Sequence, residues 1–266
     1  MYAAPRSIAQ ASVTHDFEDS LPPIKIRIMP SSSSWSGPLP RAVLFDLFHT
    51  LACVPSPGLA GETPVPEILG VPTAEWHRLY YEDDILGRCL GRVVDGVEAM
   101  RVVTHLIDAT VPEERIIAAV ESRRRRFETG LIQIEGGILD GLDRLRRAGI
   151  RTALVSDAGA DDVESWQRSP LRERFDAIVF SYRLGVRKPD ARVYQRALEI
   201  IDTRPADAIF VGDGGSDEHR GARAVGMKTV LVTRLAALCP ETIAARRAHV
   251  DWEFEDVPAF VQALGL

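Results

Sequence analysis

The chain has 266 residues, of which 45% are hydrophobic and 26% are charged, so it can bury a full α/β core and still carry an inserted subdomain. Its net charge of −6 gives no electrostatic support for nucleic-acid binding, and the one basic cluster, Arg123 to Arg126, is interpreted as a solvated helix face. No stretch approaches the ~18 consecutive apolar residues of a membrane span. We therefore expect neither a nucleic-acid partner nor a membrane.

Cysteine usage indicates the compartment. Cys53, Cys89 and Cys239 are odd in number and far apart, with no CxxC spacing or histidine pairing that would indicate zinc or a disulfide framework. The N-terminus also lacks the charged start and apolar stretch of a signal peptide. These features favour a reducing environment and predict a cytoplasmic soluble protein.

Residues 1 to 40 are rich in proline and contain four consecutive serines, which predicts a disordered N-terminal arm. The run Ile24 to Ile28 alternates between apolar and basic residues, so a short edge strand and a flexible tail are both consistent with it. We expect order to begin near Arg41.

The first predicted strand is the apolar run Ala42 to Phe45, and Asp46 follows it directly. Parallel α/β sheets open their ligand crevice at the carboxyl ends of their strands. Asp46 is therefore placed for chemistry, and we predict that it is a nucleophile, with Thr50 bracing the turn after it.

Helical periodicity follows. Residues 56–130 are predicted to form an inserted all-helical cap, and residues 41–55 and 131–266 the Rossmann-like core. Thr110 to Glu113 forms a capping-box signature at the start of the last cap helix, with a proline inside its first turn. The first core helix after the cap carries apolar residues at helical spacing and a closing glycine, namely Ile138, Leu142, Leu145 and Gly149.

Beyond the cap, strands and helices alternate, which predicts a parallel sheet with right-handed crossovers. Strands are predicted at residues 151 to 155, 177 to 180, 208 to 211 and 228 to 232, with helices at Ala191 to Ile201 and Glu218 to Val225 among those between them.

Polar residues follow three of these later segments: Ser156-Asp157, Lys188-Pro189-Asp190, and Gly212-Asp213 continuing to Glu218. Together with Asp46, their order and spacing resemble the haloacid dehalogenase superfamily of hydrolases. The resemblance covers nearly the whole chain after the N-terminal arm. An all-helical insertion after the first strand is similar to the cap of the subfamily that includes small-molecule phosphatases and haloacid dehalogenases, in which the cap closes over the crevice and selects substrates.

Charge predicts the cofactor. An aspartate that attacks a phosphoryl group meets repulsion between two anions, and Asp46 and Asp213 would repel each other if they converged without a cation. Mg²⁺ between them relieves both problems, because it prefers oxygen ligands from a few carboxylates together with phosphate and water.

The resemblance implies further roles. The backbone carbonyl of Phe48 would complete the metal ligands, and Lys188 would neutralise the attacking carboxylate and the phosphate. The Ser156 hydroxyl would hold a phosphoryl oxygen. Asp217 or Glu218 would orient metal-bound waters or Lys188, and the sequence leaves open which of them does so.

One position departs from the family pattern. Phosphatases of this superfamily carry a second aspartate two residues after the nucleophile, where it acts as general acid and base, and here that position is Phe48. Its loss is expected to reduce the rate on the order of 10²–10⁴-fold for a poor leaving group unless another residue substitutes. His49 is the nearest candidate, because an imidazole titrates near neutrality and the family usually has glycine there. A solvated loop histidine is an equally good interpretation.

Three hypotheses follow, in order of preference. The first is a Mg²⁺-dependent phosphatase that acts on a small phosphorylated metabolite through an aspartyl phosphate. The second is a 2-haloacid dehalogenase, since an aromatic residue two positions after the nucleophile is usual in those enzymes. The retained Asp213 argues against it. The third is a non-catalytic binding protein of the same fold.

The substrate and the oligomeric state are not determined by the sequence. Several cap residues could face the crevice or pack internally, and aromatic residues at helical spacing are more often core. These residues are Trp76, Tyr80, Tyr81, Arg88 and Arg92.

Overall fold

A computed structural model describes residue 35 and residues 37–236 and 240–266. Most of the predicted N-terminal arm, including the alternating run 24–28, lies outside the described residues, as does Cys239. Trp35 packs against Trp252, with 4.5 Å between ring centroids, so contact with the core begins before Arg41. No helix in the described ranges is long and apolar enough to cross a membrane.

The described residues form a six-stranded, fully parallel sheet, which confirms the predicted Rossmann-like α/β fold. Its strands are β1 Ala42–Phe45, β2 Arg151–Ser156, β3 Ala177–Phe180, β4 Ala208–Gly212, β5 Lys228–Val232 and β6 Trp252–Phe254. They lie in the order β3-β2-β1-β4-β5-β6. The four strands predicted after the cap are present to within one residue, whereas β6 was not predicted.

Strand β1 is central and buried on both faces, which explains its continuous apolar run. Its register pairs Phe45 with Leu154 of β2 on one side and Val211 of β4 on the other. The carboxyl ends of these three strands are therefore level, and the residues that follow them meet at one edge of the sheet.

Between residues 57 and 132 every named element is helical. These elements are α1 Pro57–Ala60, α2 Val65–Leu69, α3 Thr73–His77, a π-helix at Arg78–Glu82, a 3₁₀ helix at Arg88–Leu90, α4 Gly96–Ile107 and α5 Glu113–Ile132. They share an apolar cluster separate from the two that pack on the sheet, with Trp76, Tyr80 and Met100 among its largest members. This segment is called the cap below, and its exact boundaries remain a prediction.

The remaining helices cover the two faces of the sheet. They are α6 Gly136–Arg147, α7 Ser181–Leu184, α8 Ala191–Ile200, α9 Glu218–Ala224, α10 Pro240–Arg246 and α11 Val257–Ala263. Short 3₁₀ helices lie at Asp161–Arg168, Arg172–Arg174, Pro205–Asp207, Gly215–Asp217 and Arg247–His249. Apolar residues of α6 and α11 pack on one face, and those of α8 and α9 on the other.

The capping-box prediction was wrong. Helix α5 does begin at Glu113, but its N-cap residue is Pro112 and no side chain caps it. The Thr110 hydroxyl instead donates to Asp108 Oδ1 at 2.7 Å, and the Thr110 backbone N–H donates to the same oxygen. The nearby aspartate binds the threonine in a local turn and leaves it unavailable to the helix.

The prediction of a solvated basic face was wrong for Arg123. Arg124 and Arg125 are exposed, but the side chain of Arg123 is only 3% exposed and forms ion pairs with Asp161 and Asp162. Helix α5 packs against the 3₁₀ helix that carries these two aspartates, and the arginine is buried because its counter-ions lie in that other element.

Candidate active site

Asp46 lies at the end of β1, and donors engage both of its carboxylate oxygens. Oδ1 accepts a hydrogen bond from Lys188 Nζ at 2.5 Å, and Oδ2 accepts one from Thr50 Oγ1 at 3.1 Å. The Asp46 backbone N–H donates to the carbonyl of Val211 at 3.0 Å. These contacts fix the plane of the buried carboxylate, and the predicted bracing by Thr50 is confirmed.

Lys188 joins Asp46 to a second buried carboxylate, because its Nζ also donates to Glu218 Oε2 at 2.6 Å. The other oxygen of Glu218 accepts the Gly214 N–H at 2.7 Å. A Cβ on Gly212 would collide with this carboxylate, so the end of β4 requires glycine. The arrangement fixes Lys188 between the two acids.

Asp213 completes the cluster. Its Oδ1 accepts the Gly215 N–H at 3.0 Å. Arg246, the last residue of α10, donates through Nη1 to Asp213 Oδ2 at 2.7 Å and to the Asp213 carbonyl at 2.5 Å. One carboxylate oxygen from each of Asp46, Asp213 and Glu218 lies within 4.8 Å of the others.

Three carboxylates meet in this cluster, but only two cations, Lys188 and Arg246, contact them among the described residues. The pKa values of Asp46, Glu218 and Lys188 are shifted as a result of burial and of these contacts. Burial, with repulsion from Asp213, raises the pKa of Asp46 against the attraction of Lys188. Burial also raises the pKa of Glu218 well above its usual range. Burial opposes the charge of Lys188, but attraction by Asp46 and Glu218 outweighs it and raises the lysine pKa well above its usual range.

Asp217 and Glu218, which the sequence left undecided, occupy different environments. Glu218 is fully buried in the cluster, whereas Asp217 is exposed and pairs with Arg220 at 2.8 Å. This geometry favours Glu218 as the residue that orients Lys188.

Ser156 ends β2, and its hydroxyl is buried without a hydrogen-bond partner among the described residues. A buried hydroxyl that lacks a partner is costly unless a ligand satisfies it. Its neighbour Asp157 accepts the backbone N–H of Lys188 at 2.9 Å. Both residues therefore belong to the same edge as Asp46.

Phe48 and His49 leave the cluster and face the cap. The ring of Phe48 meets Phe127 of α5 edge-on, with centroids 5.3 Å apart. His49 is exposed and adopts a left-handed φ of 64°, a backbone conformation that glycine adopts without steric cost. The backbone is fixed by the His49 N–H, which donates to the Ala52 carbonyl at 2.8 Å.

A cavity of about 430 Å³ lies between the cap and this edge of the sheet. Of the cap residues that the sequence left open, Trp76 and Tyr80 pack internally, although Trp76 also contributes to the wall. Principal lining residues are Phe48, His49, Trp76, His77, Tyr81, Arg88, Arg126, Phe127, Asp157, Asp162 and Arg187.

The sequence did not indicate Arg246, Arg126 or Asp162 as site residues. Arg246 follows the last predicted strand and belongs to no motif, and Asp162 lies six residues beyond Ser156. Arg126 could have been noticed only as a member of a basic run, and that run was interpreted as surface. Contacts between distant elements bring these three side chains to the site.

A parallel sheet with an acidic and basic cluster at its carboxyl edge and helices over it defines a class of capped hydrolases. The family model for haloacid dehalogenase-like hydrolases matches residues 94–232, just over half of the chain. The protein belongs to the haloacid dehalogenase-like hydrolase family.

Two relatives illustrate how much of the chain is matched by similar proteins. A human protein described as haloacid dehalogenase-like hydrolase domain-containing protein 3 is 36% identical over 108 residues, which cover 41% of this chain and 43% of the relative, less than half of its length. A glyceraldehyde 3-phosphate phosphatase of Methanopyrus kandleri is 28% identical over 201 residues, covering 73% of this chain and 84% of the relative.

Among solved structures, a 2-haloacid dehalogenase from Pseudomonas syringae pv. Tomato DC3000 superimposes with a TM-score of 0.60 at 22% identity. The match covers 85% of this chain and 99% of that one. At this identity the similarity supports the fold alone.

Proposed function

We propose that the protein is a Mg²⁺-dependent phosphatase that hydrolyses a small phosphorylated metabolite through an aspartyl phosphate on Asp46. The observation that supports this most strongly is the convergence of the Asp46 and Asp213 carboxylates on one buried edge beside Lys188. A phosphatase requires both a nucleophile and a metal ligand there, and a similar phosphatase relative agrees with this chemistry.

The donor set fits magnesium. All three acids offer hard oxygen atoms, and a divalent cation would offset the burial and the repulsion from Asp213 that together raise the pKa of Asp46. Asp46 and Asp213 would hold the ion, with the Phe48 carbonyl as a third ligand. Both oxygens of Glu218 are already hydrogen-bonded, which suits it to positioning Lys188. Asp213 Oδ2 now meets Arg246, which must move aside if that oxygen ligates.

When bound, Mg²⁺ would neutralise charge on the phosphoryl group. Asp46 attacks phosphorus, a bond from phosphorus to carboxylate oxygen forms, and the bond to the leaving oxygen breaks with its electron pair. Lys188 offsets the charge of the nucleophile, and the free Ser156 hydroxyl donates to a phosphoryl oxygen. Water then hydrolyses the aspartyl phosphate, which releases phosphate and restores Asp46.

The leaving oxygen needs a proton, and Phe48 cannot supply one. His49 is the proposed donor, because it lines the cavity directly beside Phe48 and is exposed. As a general acid it would give a proton to the leaving oxygen in the first step, and as a general base it would take a proton from the attacking water in the second.

A first experiment tests the nucleophile and the metal ligand separately. Asp46→Asn should abolish turnover of phosphate esters because the near-isosteric amide is not an anionic nucleophile, while Asp213→Asn should weaken Mg²⁺ binding measured by calorimetry. Asp217→Asn, on the exposed neighbouring acid, is the matched control and should behave as the parent. Unchanged hydrolysis by purified Asp46→Asn protein would refute the assignment of Asp46.

A haloacid dehalogenase is the second candidate, favoured by Phe48 and by the guanidinium of Arg246 on Asp213. Halide leaves carbon without a proton, so that reaction tolerates an aromatic residue at this position. Release of halide from 2-haloacids in the presence of EDTA, without phosphatase activity in Mg²⁺, would favour this alternative.

A further inference from the structure

The cavity has more cationic than anionic groups that are free to bind a ligand. Arg88, Arg126 and Arg187 line it, together with the carboxylates of Asp157 and Asp162. The arginines come from both the cap and the core, since Arg88 and Arg126 belong to the cap and Arg187 directly precedes Lys188 in the core.

Asp162 does not pair with Arg126 or Arg187, because other groups already occupy its carboxylate oxygens. It lies between Arg88 and Arg123 and pairs with both, and its Oδ2 also accepts the Gly159 N–H at 2.6 Å. Arg88 forms a further ion pair with Asp161 at 2.8 Å. The charge of Arg88 is thus satisfied within the protein, although its buried Nε has no partner among the described residues.

Arg126 is in a different position. Its Nε donates to the Pro55 carbonyl at 2.9 Å, which fixes the side chain against the segment between β1 and the cap. In the described part of the chain no carboxylate forms an ion pair with its guanidinium, and its Nη groups have no hydrogen-bond acceptor. Burial lowers the pKa of Arg126, because the half-buried charge has lost solvent without gaining a carboxylate partner.

Arg187 complements Arg126 from the core side. Its side chain is exposed and, among the described residues, makes no hydrogen bond or ion pair. Because Lys188 follows it directly and contacts Asp46, the position of Arg187 is set within one residue of the reacting centre. Arg187 therefore brings a cation to the wall of the same cavity from the core side.

The remaining wall limits the size and shape of the ligand. Phe48, Trp76, Tyr81 and Phe127 present aromatic surface, and the volume of about 430 Å³ suits a small molecule. An apolar wall strengthens the attraction between a guanidinium and an oxyanion, because it excludes water from the pair.

We propose that Arg126 and Arg187 bind a second oxyanion of the substrate, a carboxylate or a second phosphate, on the leaving group of the phosphate ester. The substrate class is then a small phosphate monoester that carries another negative group. This inference rests on the proposed phosphatase function for the first phosphate, but the oxyanion subsite can be measured without turnover.

Binding is measured by calorimetry on Asp46→Asn protein with Mg²⁺, using methylphosphonate, phosphonoacetate and methylenebisphosphonate as probes. The two ligands with a second oxyanion should bind about tenfold or more tightly than methylphosphonate, because a charge-assisted hydrogen bond contributes at least that factor. Tighter binding of phosphonoacetate would indicate that the subsite prefers a carboxylate, and tighter binding of methylenebisphosphonate that it prefers a second phosphate. Equal affinity for all three probes would overturn the proposal.

Two variants locate the effect. Arg126→Gln should remove the preference for the second oxyanion and leave methylphosphonate binding unchanged. Arg125→Gln is the matched control and should retain the preference, because Arg125 is exposed and pairs with Glu62. Arg187→Gln, on an exposed side chain, provides a second test that does not depend on packing in the cap. Retention of the full preference in both Arg126→Gln and Arg187→Gln would refute the assignment to these residues.

Kinetics separate this proposal from the function on which it rests. With a phosphorylated hydroxy acid, Arg126→Gln should raise KM about tenfold or more and change kcat little, whereas nitrophenyl phosphate should show neither effect. A parent that hydrolyses nitrophenyl phosphate but shows no oxyanion preference would refute the subsite alone. A parent that hydrolyses no phosphate ester, yet shows an Arg126-dependent preference, would refute the phosphatase and retain the subsite.

Discussion

At the scale of single residues, the most informative contrast is between the carboxylate of Asp46 and the ring two positions later. Asp46 is fixed by Lys188 and Thr50, as a nucleophile requires. Phe48 points away from that cluster and packs on the cap. Phe48 thus contributes to the contact between core and cap.

If no residue replaces the acid missing at Phe48, the parent should hydrolyse activated esters, such as nitrophenyl or acyl phosphates, far better than alkyl phosphates, whose leaving groups need a proton, whereas a proton from His49 should reduce that preference. Phe48→Asp should narrow that difference by restoring a carboxyl group. Steady-state rates on both substrate types provide the measurement, and circular dichroism checks that loss of the contact with Phe127 has not disturbed the fold.

His49→Ala tests the substitute donor. If His49 protonates the leaving oxygen, activity on alkyl phosphates should fall on the order of 10²-fold, while activity on nitrophenyl phosphate should change little. His77→Ala is the matched control, since this exposed histidine lines the same cavity from the cap. Equal effects of both variants on both substrates would contradict a proton-donor role.

Arg246 gives a prediction about the metal. Replacement by methionine removes the cation that contacts Asp213 Oδ2, so Mg²⁺ should bind roughly fivefold more tightly, since a partly exposed ion pair contributes on the order of 1 kcal/mol. Arg247→Met, at the adjacent residue that pairs with Glu253, should leave the affinity unchanged. Weaker binding to Arg246→Met would instead show that Arg246 supports the metal site.

At the scale of elements, apolar runs sufficed to predict the buried strands. A strand that is covered on both faces buries every side chain, so its sequence is apolar at nearly every position. Strands β2 to β5 were located in this way to within one residue. Strand β6 has only three residues, Trp252-Glu253-Phe254, at the edge of the sheet, too few to form a run. Helix α5 shows another limit, because the burial of Arg123 depends on aspartates 38 and 39 positions away along the chain.

Removal of Arg123 should destabilise the protein. Arg123→Met leaves Asp161 and Asp162 with Arg88 as their remaining arginine, and loss of one partner from a buried ionic cluster typically reduces the free energy of unfolding by about 3–5 kcal/mol. Arg124→Met, on the exposed neighbour, should leave that free energy nearly unchanged. Denaturant unfolding of the two variants and the parent measures the difference, and similar midpoints would contradict a structural role for the cluster.

At the scale of the whole molecule, the sequence predicted the sheet and the edge at which chemistry occurs, because strand direction alone brings those residues together. It could not predict which cations oppose the acids. Arg246 reaches Asp213 from a helix beyond β5, and the arginines of the cavity acquire their roles only from the way the cap packs on the sheet.

Acid sensitivity of the whole fold should include a contribution from His219, which is buried on α9 with Nε2 3.0 Å from the Val230 carbonyl. Burial lowers the pKa of His219 to about 4. Its folded value lies below the unfolded value of about 6.5, so its stabilising contribution is complete above pH 6.5 and is lost as pH falls towards 4. The loss should be on the order of 3 kcal/mol.

His219→Gln should therefore unfold with a weaker dependence on pH between 6.5 and 4 than the parent, whatever its stability at neutral pH. His249→Gln, at an exposed histidine, is the control and should show the parental slope. The measurement is the midpoint of chemical unfolding at several pH values, and parallel curves for His219→Gln and the parent would contradict the prediction.

The ionic cluster of Arg88, Arg123, Asp161 and Asp162 also joins the cap to the core, because both arginines belong to the cap and both aspartates follow β2. A swing of the cap away from the core would separate these charges, and an opening that costs about 3–5 kcal/mol leaves only about one molecule in a thousand open at any moment. Small substrates and released phosphate would then enter and leave the cavity while the cap stays closed on the sheet. A bulky ligand would have to wait for a rare opening, so its association should be slow and should accelerate steeply with temperature.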